Sequence, residues 1–351
     1  MDHSEIARRR MVNLRLWDSD VRTVEEVVGG LGAMQAQEFP FAKWSVAQRA
    51  HGIDAAAMER AFADGVLLRS HFLRPTWHFA LPADIRWILQ VTAPRVHAFN
   101  AHYYRKMELD DALLAKTDAL LGEAVRGGNH LTRKELAQVL AGAGIEASGV
   151  RLAFVVIHAE LEGVVTSGAP RGKQHTYALL EERAPTARTM DPDEALAELT
   201  RRYFTARGPA TVKDFMWWSS LRAAEVRRGL DLAGSALERL EEDGRTYWSA
   251  PPSAEPAARR NVVDLVQAYD EAIMSYTESR DVLGGRPARY YHGILLDGRL
   301  IGSWRPVLER GSVVVETERY RDLTKAEAQG LDSAVARYAA FLGVPVTLRA
   351  G

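Results

Sequence analysis

Thr132-Arg133-Lys134-Glu135-Leu136 is the stretch from which the rest of the chain is read. A threonine three residues ahead of a glutamate is the capping-box pattern. The threonine hydroxyl accepts the glutamate N–H, and the glutamate carboxylate accepts the threonine N–H. The stretch follows a loop, Gly127-Gly128-Asn129-His130-Leu131, and the helix it opens stops at Gly142-Ala143-Gly144. Residues 111–125 read as a helix before it. Residues 148–161 read as a helix after it, with Leu152, Val155, Val156, Ala159 and Leu161 on or near one face. Residues 164–168 and 176–180 then alternate as a hairpin around a basic, exposed tip, Ala169-Pro170-Arg171-Gly172-Lys173-Gln174-His175. Helix, boxed helix, helix, hairpin is the order of a winged helix-turn-helix.

The order recurs on both sides. Upstream, residues 4–16 read as a helix and Thr23-Val24-Glu25-Glu26 as a box, followed by Val24, Val27, Val28, Leu31 and Met34 at helical spacing. A helix at 54–62 and two strands at 66–73 and 76–81, joined by Arg74-Pro75, complete that set, and a long helix covers 84–107. Downstream, residues 193–207 are helical, Gly208-Pro209 breaks the helix, and Thr211-Val212-Lys213-Asp214 opens the next. Further helix is predicted within 221–240, and a strand begins at Thr246-Tyr247-Trp248. One box is common by chance, whereas three in the same context predict an internal repeat. The expected fold class is α+β and helix-rich. Three tandem winged helix-turn-helix units are expected at residues 1–108, 109–190 and 191–255, with a mixed α+β region at 256–351 packed on the third. Pro251-Pro252-Ser253-Ala254-Glu255-Pro256 reads as a linker. Beyond it, 262–266, 293–296, 300–304 and 312–318 read as strands, Asp297-Gly298 as a hairpin turn, and 325–342 as an amphipathic helix.

Composition narrows the function. The 351 residues are 47% hydrophobic, enough for a buried core, and carry a formal net charge of -1. Many nucleic-acid binders are basic overall, so positive charge must be concentrated locally if DNA is the partner. The chain has no cysteine, which removes disulfides, thiolate catalysis and Cys-ligated zinc and fits a cytoplasmic location. The start lacks the pattern of a signal peptide, and no apolar run reaches the roughly 18–20 residues of a membrane helix.

Most catalytic motifs are missing. His71 and His78 are not at the spacing of a zinc-binding HExxH helix. His158-Ala159-Glu160 lacks the cysteine pair of a zinc deaminase. Gly168 to Lys173 is too short for a phosphate loop, and no Gly-x-Ser-x-Gly elbow occurs. No metal and no cofactor are expected. Trp217-Trp218 reads as core. What remains is binding. Winged helices also mediate protein contacts, but duplex recognition, with a helix in the major groove and the hairpin on the backbone, is the reading favoured here. Arg69 and Arg74 mark the first hairpin, Arg171 and Lys173 the second, and Lys43 and Arg305 are further candidates for DNA contact.

One further feature is Met34-Gln35-Ala36-Gln37-Glu38-Phe39-Pro40, read as the exit of the boxed helix, with Pro40 disfavouring helix at Phe39. In an extended segment Gln35 and Gln37 project from the same side. Two amides can together hold a water or a base edge.

The chain resembles the tandem winged-helix family that includes the AlkZ-like bacterial DNA glycosylases. The resemblance rests on Met34-Gln35-Ala36-Gln37, the family's Gln-aliphatic-Gln motif, and on Leu73-Arg74-Pro75-Thr76-Trp77-His78. It also rests on Gly208-Pro209-Ala210-Thr211 with Asp214-Phe215-Met216-Trp217-Trp218-Ser219, on Ala268-Tyr269-Asp270-Glu271, and on Asp297-Gly298-Arg299 with Gly302-Ser303-Trp304. The resemblance implies a curved scaffold that embraces double-stranded DNA, with Gln35 and Gln37 flanking the scissile N-glycosidic bond. The expected function is hydrolysis of that bond at alkylated, bulky or crosslinked purines, for repair or self-resistance. No lysine nucleophile suggests itself, so the enzyme is expected to be monofunctional, without lyase activity. His78 and Arg74 are expected to support the site or hold a phosphate. Glu38, pointing the other way in an extended segment, is not assigned as the base. A monomer is expected. Base flipping and excision within the duplex both stay open, as do two other functions: a non-catalytic DNA-binding regulator and a drug-sequestering protein.

Overall fold

The computed structural model describes residues 2–251, 259–284 and 292–350, so the expected linker at 252–256 lies outside the described residues. The chain runs through α1 (His3–Asn13), α2 (Val24–Leu31), β1 (Met34–Gln35), α3 (Phe39–Ala47), α4 (Ala55–Asp64), β2 (Leu68–His71), β3 (Trp77–Ala80) and α5 (Ile85–Lys106). It continues with α6 (Asp111–Val125), β4 (Leu131–Thr132), α7 (Arg133–Gly142), α8 (Gly149–Leu161), β5 (Val165–Ser167), β6 (Thr176–Leu179), α9 (Leu180–Arg183) and α10 (Pro192–Arg207). Next come α11 (Val212–Ser219), α12 (Ala223–Ala233), β7 (Glu238–Glu242), β8 (Arg245–Ser249), β9 (Val263–Val266) and α13 (Glu271–Met274). The last elements are β10 (His292–Leu296), β11 (Arg299–Glu309), β12 (Ser312–Arg319), α14 (Lys325–Leu342) and β13 (Val346–Ala350). By compactness the chain divides into two units. Unit one holds Met1–Met58, Ala197–Trp218 and Arg222–Gly351, and unit two holds Glu59–Leu196 with Ser219–Leu221.

The boxes form as the sequence predicts. Glu26 N–H donates to Thr23 Oγ1 at 3.2 Å, while Thr23 N–H donates to the Glu26 carboxylate at 3.0 Å. The reciprocal pair at α7 measures 3.3 and 2.7 Å between Thr132 and Glu135, and at α11 3.1 and 2.9 Å between Thr211 and Asp214. A fourth box, Thr324 with Glu327, opens α14, which no hairpin follows. The box therefore marks a helix start and is not by itself a sign of a repeat.

The order of elements expected of each set is met upstream one helix later than the sequence reading has it. Helix, short extended piece, helix, helix, hairpin runs α6–β4–α7–α8–β5β6. The same order runs α10, Ala210, α11, α12, β7β8, where Ala210 bridges Trp248. The matching run upstream is α2–β1–α3–α4–β2β3. The Thr23 box thus opens the first helix of its set, because α3 is absent from the sequence reading. Pro40 lies in the first turn of α3, where its missing N–H leaves no helical hydrogen bond unmade; it helps to start a helix instead of forcing an exit. Gln35-Ala36-Gln37 therefore sits between the first and second helices, where Leu131-Thr132 and Ala210-Thr211 sit in the other sets.

In unit two, β4, β6 and β5 form an antiparallel sheet in that order, and β2 pairs with β3. Leu114, Leu121, Leu136, Leu140, Leu152 and Val155 lie in the core beneath them. In unit one, a five-stranded sheet runs β13-β12-β11-β10-β9. Asp297 and Gly298, at φ 49° and 77°, make the two-residue turn that joins β10 to β11. The sequence reading lacks β13, which pairs parallel to β12 with α14 as the crossover between them. The helix expected within 221–240 is α12, which stops at Ala233. Gly234, at φ 53°, turns the chain, and Leu240 pairs with Tyr247 in the β7–β8 hairpin. α3 is anchored on this sheet layer: the Trp44 indole donates to Leu265 O at 2.7 Å, and its ring packs on Tyr338 and Phe341 of α14.

Candidate active site

In unit one, residues 31–35 are held by a buried ion pair. Gln35 N–H donates to Glu271 Oε1 at 2.7 Å. Glu271 Oε2 accepts from Arg207 Nε at 3.0 Å and Nη2 at 2.8 Å, from Trp218 Nε1 at 3.0 Å and from Ser275 Oγ at 2.8 Å. Arg207 also donates to Leu31 O at 2.7 Å and Ala33 O at 2.6 Å, so one guanidinium ties the end of α2 to the carboxylate that holds β1. Its face lies over the Trp218 ring, 4.3 Å from the centroid. The planar fork of arginine suits this task, since it serves carbonyls and a carboxylate together.

The neighbouring carboxylate anchors the other side of the segment. Asp270 Oδ1 accepts from Arg49 Nη2 at 2.7 Å, and Oδ2 accepts from Arg49 Nη1 at 3.0 Å and Ser45 Oγ at 2.7 Å. Arg49 and Asp270 are both fully buried. Asp270-Glu271 therefore fixes α3 with one side chain and β1 with the next. The sequence supplied Ala268-Tyr269-Asp270-Glu271 as a motif but gave it no role. Arg49 and Arg207 carry no local signal, because an arginine on a helix ordinarily faces solvent.

The two glutamines differ in exposure. Gln35 is 3% exposed, whereas Gln37 is open to solvent. Only Met34–Gln35 is strand, and the chain bends at Gln37 and Glu38 before α3 begins, so the alternation of an extended chain does not reach Gln37.

Glu38 occupies the N-cap of α3, the place of Thr132 and Thr211 in the other sets, yet its side chain makes no capping bond. Partial burial raises its pKa above the usual carboxylate range. Its carboxylate lies 3.8 Å from His292 Nε2. Ala268 N–H donates to His292 Nδ1 at 3.2 Å, so the proton of the neutral ring sits on Nε2, facing Glu38. Burial lowers the His292 pKa to about 4. The ring is packed between Phe41, at 4.0 Å, and Trp304, at 5.1 Å. A half-buried carboxyl thus follows an exposed amide directly in sequence, on backbone held by two buried ion pairs.

The basic candidates separate by burial. In unit one, Lys43 is 8% exposed with its ammonium 4.9 Å from the Phe39 ring centroid, and Arg305 is exposed and paired with Glu316. In unit two, Arg171 and Lys173 stand on the exposed β5–β6 tip, where Arg171 pairs with Glu135 at 2.7 Å. Arg69, Arg74 and His78 are internal. The Arg69 guanidinium lies 4.2 Å from the Trp77 ring centroid, and desolvation lowers its pKa to about 10. The first hairpin is therefore not the exposed basic wing that its sequence suggests, because both faces of β2 are covered. Trp218 is core as expected, whereas Trp217 is 43% exposed. Among the described residues one group of histidine and acidic side chains able to hold a metal ion exists, in unit two: His97, His158 and Glu162.

The family model described as DNA glycosylase AlkZ-like matches residues 28–341. An interstrand DNA cross-link repair glycosylase of Streptomyces sahachiroi is 25% identical over 323 residues, covering 85% of this chain and 86% of that protein. The solved structure of the Streptomyces sahachiroi DNA glycosylase AlkZ matches 100% of both chains with a TM-score of 0.81 at 23% identity, a likeness of fold.

Proposed function

Because this chain belongs to the AlkZ-like DNA glycosylase family, hydrolases of N-glycosyl bonds, we propose that it hydrolyses the bond between deoxyribose and an alkylated purine, bulky or crosslinked purines included, in duplex DNA. Alkylation at N7 or N3 makes the purine cationic and a good leaving group. The protein then needs to place a water and favour an oxocarbenium-like sugar. Gln35 and Gln37 hold that water; their amides orient it well and are weak bases. Glu38 supplies what the amides lack. Its carboxylate, not spent on capping, lies beside the Nε2 proton of His292 and takes the proton of the attacking water. The reaction is monofunctional and forms no bond between a lysine and the sugar.

The observation that carries this reading is the clamp on residues 31–35. Arg207 and Glu271 fix the backbone of the glutamine segment from inside, while Gln37 stays open to solvent. A site that must hold water to within a fraction of an ångström needs such support. Three tandem winged-helix units at 1–108, 109–190 and 191–255, with a C-terminal α+β region at 256–351, are the proposed scaffold. Arg171, Lys173 and Arg305 are its phosphate contacts. Lys43, Arg69, Arg74 and His78 act from within, by supporting the elements that bear the contacts.

The test is release of free base from DNA carrying N7- or N3-alkylated purines. The wild type is expected to release base. Gln35→Ala/Gln37→Ala is expected to bind the same DNA without releasing it. If neither protein releases base from any of several alkylated DNAs while both bind them, the chain is a DNA-binding protein without catalysis. Tight binding of a DNA-alkylating drug in the absence of DNA would make it a sequestering protein instead.

A further inference from the structure

We propose that unit two carries a binding site for one borderline divalent transition cation of the zinc class, formed by His97 of α5 and by His158 and Glu162 at the C-terminal end of α8. The donor atoms of the three side chains lie within 4.8 Å of one another. Each histidine is already oriented through its Nδ1. His158 Nδ1 meets Asp118 Oδ2 at 2.9 Å, and His97 Nδ1 meets the Tyr104 hydroxyl at 3.0 Å. Both rings therefore keep Nε2 for the shared space between them, with centroids 5.0 Å apart. A carboxylate on the far nitrogen of a ligating imidazole fixes its ring and raises its basicity.

The His97–Glu162 contact supports an ion in this space. His97 Nε2 lies 3.0 Å from Glu162 Oε1. That nitrogen is buried, and its contact with the Glu162 carboxylate falls short of hydrogen-bond geometry. Two donors that face each other at this separation without hydrogen-bond geometry match the bite of a tetrahedral ion. Bonds of about 2.0–2.1 Å put neighbouring ligands about 3.3 Å apart. The remaining donor, within 4.8 Å of the others, has to close by about 1.5 Å at most. Glu162 is also the C-cap of α8, where the helix dipole disfavours a carboxylate and favours a cation.

The donor set decides the class of ion. Two imidazoles and one carboxylate suit zinc, cobalt, nickel or copper, whereas magnesium and calcium prefer oxygen alone. The site borders a pocket of about 310 Å³ lined by Gln90, Pro94, His97, Leu161 and Glu162, which leaves a coordination position for water or an outside ligand. Spacing in the sequence could not reveal this cluster, because it comes from two helices distant along the chain.

The test uses the full, tag-free chain freed of metal by chelation and titrated with ZnCl2 or CoCl2. Calorimetry is expected to show one equivalent bound per chain, and Co²⁺ to give a visible ligand-field band that Zn²⁺ displaces. Glu162→Gln, at an exposed position, is expected to weaken binding at least tenfold. His97→Gln/His158→Gln is expected to abolish it, with circular dichroism confirming that both variants are folded. The proposal is overturned if the wild type shows no saturable uptake, if the folded variants bind as well as the wild type, or if MgCl2 binds as tightly as ZnCl2.

Discussion

The Arg207 guanidinium meets the Glu271 carboxylate at 2.8 Å, with the two side chains 0% and 1% exposed. Between them they bind the backbone of Leu31, Ala33 and Gln35. Breaking a buried pair from one side strands the other charge in the interior. Arg207→Ala is expected to lower unfolding stability by about 3–5 kcal/mol, measured by urea denaturation. Where the variant is still folded, base release should fall further than DNA binding. A stability within about 1 kcal/mol of wild type would mean the pair does not clamp the segment.

Gln35 and Gln37 should fail in different ways. Gln37 is exposed, so Gln37→Ala is expected to leave stability within about 0.5 kcal/mol and to lower base release by about 10²-fold. Gln35 is buried, so Gln35→Ala should cost about 1–3 kcal/mol of stability as well as activity. Urea unfolding and single-turnover base release on the same preparations separate the two. Equal stability losses would contradict the exposure difference.

With Glu38 as the proposed base, its raised pKa is expected to set the acid side of the rate profile. A base works as the carboxylate, and burial keeps this carboxyl protonated to a higher pH than an ordinary glutamate. The rate is expected to fall, as pH drops, at a pH above the ordinary value of about 4.3. Glu38→Gln should be slower and lose that limb. A Glu38→Gln profile parallel to wild type would remove Glu38 from the reaction.

His292 makes a prediction for stability. Its folded pKa of about 4 lies below the unfolded value of about 6.5. Over that interval the unfolded chain takes up a proton that the folded chain refuses. The contribution is therefore present above about pH 6.5 and lost progressively as pH falls toward 4. The midpoint of thermal unfolding of His292→Phe should decline less than that of wild type across this window. Parallel declines would show that the ring is not held neutral.

Burial sorts the basic residues into two experimental classes. Arg171→Ala and Lys173→Ala, on the exposed tip, are expected to weaken duplex binding evenly across sequences. Each should reduce the slope of log K against log salt by about 1. Arg69→Ala, stacked on Trp77, is expected to lower stability and leave that slope unchanged. A reduced slope for Arg69→Ala would place its guanidinium on phosphate after all.

Local chemistry is legible wherever it is self-contained. Thr132 with Glu135 closes a cap through residues three apart, Asp297-Gly298 turns a hairpin, and α6 and α14 begin and end where the sequence reading puts them. The helix α3 escapes that reading because a proline ends some helices and starts others. Only the register of the surrounding set, with β1 before it and α4 after it, decides which Pro40 does. β13 escapes because its partner β12 lies on the other side of the whole of α14, outside any local pattern.

The site divides along the same line. Gln35-Ala36-Gln37 and its companion motifs carry the likeness to the AlkZ-like family, since residue types at short spacing hold that information. Exposure is another matter. Gln37 faces solvent and Gln35 does not, Glu38 leaves its cap unmade, and Arg69 turns inward onto Trp77. Arg207 reaches Glu271, and His97 reaches Glu162, across long stretches of chain. Burial and long-range pairing are properties of packed surfaces, and no window of sequence contains both of the surfaces that meet.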